Sequence, residues 1–186
     1  MTTTRHGRRR FLTTIAGSAA ILPALAKSAG AAARQAPSTA GRIRFAVIGI
    51  NHSHIYSQVE AVQRGGGELV SLYAREPELV DAFVKRFPQV KQVRTESEIL
   101  EDPSIQLVLS SAIPDERAPL GIRVMQHGKD YMSDKPGVTT LEQLAQVRRV
   151  QAQTRRIYSI MYSERFENRA TVKAGELVKA GAIGQV

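Results

Sequence analysis

The strongest constraint on the fold is an alternation of short apolar runs with helix-length amphipathic segments, which begins at Arg42. The apolar runs, interpreted as strands, cover residues 43–49, 69–73, 90–93, 105–109, 131–132 and 157–162. Helices are predicted over residues 54–64, from Pro77 onward, over 118–127 and over 141–153. Strands and helices that alternate in this way form a parallel sheet with helices on both faces. The sequence therefore predicts an α/β fold built on a doubly wound parallel sheet.

Ligands of such sheets bind in the crevice outside the carboxyl ends of the strands. This rule directs attention to the segments that directly follow predicted strands. Four of them carry polar or special backbone residues: 49–54, 74–76, 113–117 and 133–137.

The first of these segments, Gly49-Ile50-Asn51-His52-Ser53-His54, occupies the strand-to-helix turn that binds the pyrophosphate in dinucleotide-binding proteins. Only the first glycine of the usual G-x-G-x-x-G pattern is present, because Asn51 and His54 take the other two places. A plain strand-turn-helix corner fits the pattern about as well. His52 and His54 could also form a metal pair, but no acidic residue lies beside them in sequence, so no metal site is predicted.

The segment after the fifth strand, Ser133-Asp134-Lys135-Pro136-Gly137, carries the clearest candidate for chemistry. A lysine at the carboxyl edge of the sheet faces the cleft, and Pro136 stiffens its backbone. In isolation, the same residues are also typical of a solvated lysine in a turn.

The N-terminal segment is set apart by its charge. The chain of 186 residues has a formal net charge of +9, and its first 40 residues contain six basic residues and no acid. The other 146 residues carry 20 basic and 17 acidic side chains, so the basic balance does not indicate nucleic-acid binding. No apolar run reaches the roughly 18 residues that a spanning helix needs, so no stable membrane anchor is expected. The absence of cysteine excludes disulfides, thiolate zinc sites and cysteine nucleophiles.

This segment resembles the twin-arginine (Tat) signal of bacterial export. Arg8 and Arg9 would form the arginine pair, and the uncharged stretch 11–26 would form the apolar region. Small residues at 24–26 and 31–33 offer cleavage sites. We therefore expect a signal peptide over residues 1–33, a polar linker over 34–41, the Tat translocase as a partner and a periplasmic location. The alternative is a disordered basic tail beside an amphipathic helix.

The mature chain resembles the Gfo/Idh/MocA oxidoreductases over residues 42–186. The matching segments are 43–49, 102–108, 112–114, 125–132, 134–136, 160–166 and 175–186. The resemblance implies a Rossmann-type NAD(P)-binding domain over 42–163. It also implies a crossover helix over 164–186, with the start of a second, substrate-binding α+β domain. By the same resemblance the chain is expected to be a fragment, with the catalytic base beyond residue 186.

The resemblance further implies hydride transfer between a nicotinamide cofactor and a sugar, cyclitol or related polyol. Lys135 would be the catalytic residue, between the nicotinamide and the substrate hydroxyl, and Asp134 would hydrogen-bond the ribose side of the cofactor. The cofactor-binding residues predicted from the turn and the resemblance together are Gly49, Ile50, Asn51, His52, His54, Arg75, Pro114, Asp134, Lys135, Pro136 and Arg165. Arg117 stands where the family often has a histidine.

The end of the second strand bears on the choice of cofactor. Ala74 occupies the place of the acid that binds the ribose 2′-hydroxyl, and Arg75 follows it. A site that lacks this acid and has the Arg75 guanidinium next to it favours a 2′-phosphate, so NADP is predicted over NAD. Glu76 could instead take the acid's role.

Two other function classes fit the sequence. The departures in the phosphate turn and at the ribose acid are compatible with a dinucleotide-binding protein without turnover. A periplasmic metal-binding module that uses His52 and His54 is the less favoured alternative. A homo-oligomer is left open.

Overall fold

The computed structural model describes residues 41–163 and 168–185. The strands are β1 (Arg44–Ile48), β2 (Glu68–Tyr73), β3 (Lys91–Gln92), β4 (Leu107–Ser110), β5 (Asp130–Asp134) and β6 (Tyr158–Met161). The helices are α1 (His54–Arg64), α2 (Pro77–Arg86), α3 (Ser97–Leu100), α4 (Pro114–Gln126), α5 (Leu141–Thr154) and α6 (Arg169–Lys179). The predicted signal peptide, all but the last residue of the predicted linker, and Arg165 lie outside the described residues.

All six strands form one parallel sheet in the order β3-β2-β1-β4-β5-β6. The strand order reverses between β1 and β4, which makes this the topological switch point where ligands bind in such sheets. The predicted doubly wound, Rossmann-type α/β fold is confirmed.

Alternate residues of β1 supply the two hydrophobic cores. Phe45 and Val47 pack in the cluster that contains Val59 of α1 and Phe83 of α2. Ala46 and Ile48 pack on the opposite face, in a cluster with α3 and α4 residues. A strand with both faces covered reads as a continuous apolar run, which is why β1 was recognisable in the sequence.

The strand bounds differ from the sequence prediction by at most two residues, whereas the start of one helix differs by four. Helix α4 begins at Pro114 rather than at residue 118 and continues through Pro119. Pro119 cannot donate to the carbonyl of Asp115 four residues earlier, and the side-chain amide of Gln143 donates to that carbonyl instead, at 3.1 Å. Pro114 takes the first helical position, where a proline costs no hydrogen bond.

The short helix α3 was not predicted. It buries Ile99 and Leu100. Before it, the Glu98 carboxylate accepts hydrogen bonds from the backbone N–H of Arg94 and of Thr95, at 2.8 and 3.1 Å. The spacing Thr95-x-x-Glu98 is that of a capping box, and this is the sequence signal from which the start of α3 could have been predicted.

After the sheet, α6 buries none of its residues among the described part of the chain. The predicted Gly-x-Ile-Gly turn follows it, with Gly181 and Gly184 at positive φ. Across residues 41–163 and 168–185, no helix has the length and apolar character needed to cross a membrane.

Candidate functional site

The turn between β1 and α1 is held by backbone hydrogen bonds to both neighbouring strands. Gly49 N–H donates to Tyr73 O, and Ser111 N–H donates to Gly49 O, each at 3.0 Å. His52 N–H donates to Ser111 O at 3.1 Å. Gly49 has φ +78°, and a Cβ there would lie 2.6 Å from the Cβ of Ala112. Only glycine fits this position, so the first glycine of the motif is required by the geometry.

The N-terminus of α1 opens toward the crevice. Its N-cap residue, Ser53, makes no side-chain capping hydrogen bond, and the first turn contains no acidic residue. The N–H groups of His54, Ile55 and Tyr56 donate to His52 Nδ1, His52 O and Ser53 O, at 3.3, 3.2 and 3.2 Å. The positive end of the helix dipole still makes this terminus suited to a phosphate group. Ile50, predicted as a cofactor contact, is only 5% exposed and packs in the core, so its backbone alone can contribute.

The two histidines of the turn converge on the end of β5. His54 Nδ1 lies 3.0 Å from Oδ1 of Asp134, and His52 Nδ1 lies 3.6 Å from its Oδ2. The side chains of His52 and His54 are 49% and 35% exposed, whereas that of Asp134 is 3% exposed. The sequence offered no acidic partner for these histidines, and the fold supplies one from 80 residues away.

A buried arginine fastens the segment that carries Lys135. The Arg117 guanidinium donates to the carbonyl oxygens of Ala112, Lys135 and Pro136 at 2.7, 2.6 and 3.2 Å. It also donates to Asp134 Oδ2 at 3.3 Å, and both side chains are 3% exposed. The sequence identified Arg117 only as a substitute for a histidine. Its role as the tie between the β4–α4 connection and the end of β5 depends on tertiary packing.

Lys135 itself directly follows β5, at the carboxyl edge of the sheet, as predicted. Its backbone N–H donates to Asp134 Oδ1 at 2.8 Å, and its side chain is half-buried. The Lys135–Pro136 peptide bond is cis. Gly137 is packed against Ile160 so tightly that a Cβ there would lie 2.5 Å from Ile160 Cγ1.

A cleft of about 410 Å³ lies at the carboxyl ends of β1, β2 and β4. Gly49, Asn51 and Arg75 are among its lining residues. The Asn51 side-chain amide donates to Glu76 Oε1 at 2.7 Å, and Arg75 N–H donates to Glu76 Oε2 at 3.1 Å. The cleft therefore joins the phosphate turn to the end of β2, where the adenosine ribose binds in Rossmann folds.

The Arg75 side chain is exposed at this cleft and approaches Glu116 Oε1 at 3.5 Å. A side-chain hydrogen bond with Tyr73 and the charge of Glu116 raise the pKa of Arg75, which therefore stays protonated at any physiological pH. Ala74 also lines the cleft, and its methyl group leaves the place of the ribose acid without a carboxylate. Pro114, at the first position of α4, is exposed.

Residues 43–162 match the Gfo/Idh/MocA family, described as an oxidoreductase family with an NAD-binding Rossmann fold. The chain belongs to this family. Its described domain is accordingly an NAD(P)-binding domain of the Gfo/Idh/MocA oxidoreductases.

Solved structures agree with this assignment. A presumed oxidoreductase from Erwinia carotovora atroseptica is 36% identical, with a TM-score of 0.73 over 75% of this chain and 42% of its own. The WlbA dehydrogenase from Chromobacterium violaceum, solved with NADH and UDP-GlcNAcA, is 16% identical, with a TM-score of 0.67 over 77% and 41%. The myo-inositol 2-dehydrogenase from Lactobacillus plantarum is 16% identical, with a TM-score of 0.68 over 78% and 43%. At 16% identity the likeness concerns the fold alone.

The chain thus spans about two fifths of the length of these structures. No curated protein matches the sequence.

Proposed function

We propose that this chain is the cofactor-binding part of an exported, NADP-dependent oxidoreductase that acts on a sugar, a cyclitol or a related polyol. The observation that carries the cofactor assignment is the Gly49 turn, which is tied to β2 and β4 and adjoins the 410 Å³ cleft at the switch point. The turn and the N-terminus of α1 would hold the pyrophosphate. The residues that line the cleft would hold the adenosine, and Asp134 and Lys135 would contact the nicotinamide half.

The bound nicotinamide would accept or return a hydride. The contribution of this chain is to place the Lys135 ammonium beside the reacting carbon–oxygen bond. As a hydride leaves the carbinol carbon and the hydroxyl loses its proton, negative charge develops on the oxygen, and a fixed ammonium stabilises that charge. The hydrogen bonds from Arg117 to the carbonyls of Lys135 and Pro136 support this role, because they fix the backbone that presents the lysine.

The preference for NADP rests on Ala74 and Arg75. Ala74 puts no carboxylate in the acid's own place, and Arg75 lines the same cleft with its side chain exposed. The carboxylates of Glu76, Glu96, Asp115 and Glu116 also line this cleft, so the preference depends on Arg75 reaching the 2′-phosphate. Glu76 is the competing group, since its carboxylate could accept from a 2′-hydroxyl. However, its two oxygens already accept hydrogen bonds from Asn51 and from the Arg75 backbone.

The proposed location rests on the sequence of residues 1–33 alone. The Tat pathway carries folded proteins, so the domain would fold around its cofactor before export. Little free nicotinamide nucleotide is available outside the inner membrane, and the cofactor must then stay bound through many turnovers. A trapped cofactor that one substrate reduces has to be reoxidised in place by a second one, so the reaction would be redox-neutral overall. The substrate class rests on the family resemblance alone.

Fluorescence titration of the chain with NADPH and NADH tests the cofactor assignment. We expect NADPH to bind more tightly, and Ala74→Asp to weaken NADPH binding by about tenfold or more, or ~1.4 kcal/mol. The matched control is Ala82→Asp, at an exposed position of α2 outside the cleft. An unchanged NADPH to NADH ratio in Ala74→Asp would show that β2 is misaligned with the family. Absence of binding by either nucleotide would overturn the proposed function.

Catalysis and export are tested on the protein as the cell produces it. We expect it to carry NADP(H) that survives gel filtration and to react without added nucleotide. Bound cofactor that never changes redox state with any polyol would favour the binding protein without turnover. Replacement of Arg8 and Arg9 by lysine should leave the precursor in the cytoplasm, and unchanged periplasmic delivery would refute the Tat signal.

A further inference from the structure

His52, His54 and Asp134 were each predicted as single cofactor contacts, and the fold brings the three side chains together beside the β1–α1 turn. His52, His54 and Asp134 each bring one ligand atom to this point, and these atoms all lie within 4.8 Å of one another. The two imidazole rings meet edge to face, with centroids 4.2 Å apart. Three such groups come from two segments that are 80 residues apart in the chain, so local sequence does not account for the arrangement.

The donor set is one that binds metal ions. Two imidazoles and one carboxylate with open coordination positions are typical of sites for divalent transition metals. Metal–ligand bonds of about 2.0–2.2 Å would bring the donor atoms roughly 3.0–3.5 Å apart. The His54–Asp134 distance of 3.0 Å already meets this, and His52 can close the remaining gap by side-chain rotation because it is half exposed.

The Asp134 carboxylate accepts further hydrogen bonds, as carboxylates that bind metal ions usually do. A ligating carboxylate is typically held by further hydrogen bonds that fix its orientation. Asp134 accepts them from the Lys135 N–H on Oδ1 and from Arg117 on Oδ2. The Arg117 cation lowers the affinity for a second positive charge nearby, but its other donors are engaged by three backbone carbonyls. The histidines, in contrast, are open to the crevice, so an ion has an entry path.

We propose that His52, His54 and Asp134 bind one divalent transition-metal ion, with its remaining coordination positions directed into the crevice. The site lies between the phosphate turn and the segment that carries Lys135, where an oxygen of a bound ligand can complete the coordination. The proposal goes beyond the NADP assignment and does not depend on it, because metal binding is measured without nucleotide.

The test uses the chain without a polyhistidine tag, titrated with Zn²⁺ by calorimetry and with Co²⁺ by visible absorption. We expect one equivalent to bind, with Co²⁺ giving the absorption bands of a site with nitrogen and oxygen ligands. His52→Ala and His54→Ala each remove a ligand, so each should weaken binding by at least the roughly 10- to 100-fold that follows loss of an outer-shell partner.

The chain provides matched controls, because it contains four histidines in all. His127 is exposed on α4, with its Nδ1 2.8 Å from the carbonyl of Arg123, and His6 lies near the N-terminus. His6→Ala and His127→Ala should retain full affinity. Asp134→Asn removes the anionic ligand, and circular dichroism establishes that this variant is folded before its affinity is compared. If it does not fold, the two histidine variants decide.

Two results would overturn the proposal. One is the absence of saturable binding of either ion at micromolar concentration. The other is binding that persists in the His52→Ala/His54→Ala double variant. Neither result affects the NADP assignment, which the nucleotide titration tests separately.

Discussion

The substitution Arg117→Met tests how much the buried ion pair between Arg117 and Asp134 contributes to the free energy of unfolding. The substitution removes the cation but keeps an apolar side chain of similar length. It leaves the 3% exposed Asp134 carboxylate without its guanidinium, and three backbone carbonyls lose a donor. Removal of one partner of a buried pair typically costs about 3–5 kcal/mol in the free energy of unfolding.

We place the expected loss near the middle of that range, at about 4 kcal/mol, because two effects oppose each other. The lost carbonyl hydrogen bonds increase the loss. The Lys135 N–H and the His54 ring decrease it, since they still hydrogen-bond Asp134 Oδ1. Domains of ordinary stability unfold with about 5–15 kcal/mol, so the variant should remain folded but have a much lower denaturation midpoint.

Urea unfolding followed by circular dichroism measures this loss. Arg123→Met is the matched control on the same helix, since Arg123 pairs with Glu96 at 2.8 Å but is 46% exposed. A pair that is exposed to this extent should contribute less than about 1 kcal/mol. In the double variant Arg117→Met/Asp134→Asn, no unpaired charge remains, and the loss should be smaller than the sum of the two single losses. Equal small losses in Arg117→Met and Arg123→Met, or strictly additive losses in the double variant, would refute this reasoning.

Three further predictions concern other parts of the domain. Gly121→Ala should cost about 1–3 kcal/mol of unfolding free energy, since its Cβ would lie 2.4 Å from the Tyr158 ring and 2.5 Å from the Tyr131 ring. The control Gly175→Ala adds a methyl that meets nothing within 4 Å. Burial raises the pKa of Tyr131 to about 12, so this side chain ionises in the unfolded chain before it does in the folded one. The free energy of unfolding should therefore fall as the pH rises from about 10 to 12. In alkaline denaturation, Tyr131→Phe should show a shallower fall. In the full-length protein, Lys135→Ala should lower hydride transfer by roughly 10²–10³-fold with little change in NADPH affinity, and normal turnover would refute its catalytic role.

The fold was largely predictable because its signals are local. Helix α1 has the predicted bounds, since a strand-ending glycine precedes it and three glycines follow it. The apolar run of β1 was visible because both of its faces are buried. Helix α3 was missed because four residues are too few to establish a period. The start of α4 was placed four residues late, since the helix begins at Pro114 and continues through Pro119.

The candidate site was predictable only in part. The rule on strand ends directed attention to Gly49, Arg75 and Lys135, and each lies at the carboxyl edge of the sheet. The contacts between these segments were not predictable, because they join residues that are as many as 80 positions apart in the chain. His54 therefore gave no sign of meeting Asp134, and Arg117 gave no sign of being buried. The export signal and the individual roles of the site residues stay predictions.

His54 connects two sides of the crevice, which are the N-terminus of α1 and the segment that carries Lys135. In the usual glycine-rich turn, small residues let the backbone approach the cofactor and let the helix pack closely on the sheet. Here Gly49 keeps the required backbone geometry, while His54 replaces the third glycine and hydrogen-bonds Asp134. Asp134 in turn accepts from the N–H of Lys135. The N-terminus of α1, which would hold a phosphate, is thereby linked through two hydrogen bonds to the residue proposed to act on the substrate. A ligand that moves His54, whether a pyrophosphate or a metal ion, would therefore remove a hydrogen bond from the same carboxylate oxygen that accepts from the Lys135 N–H.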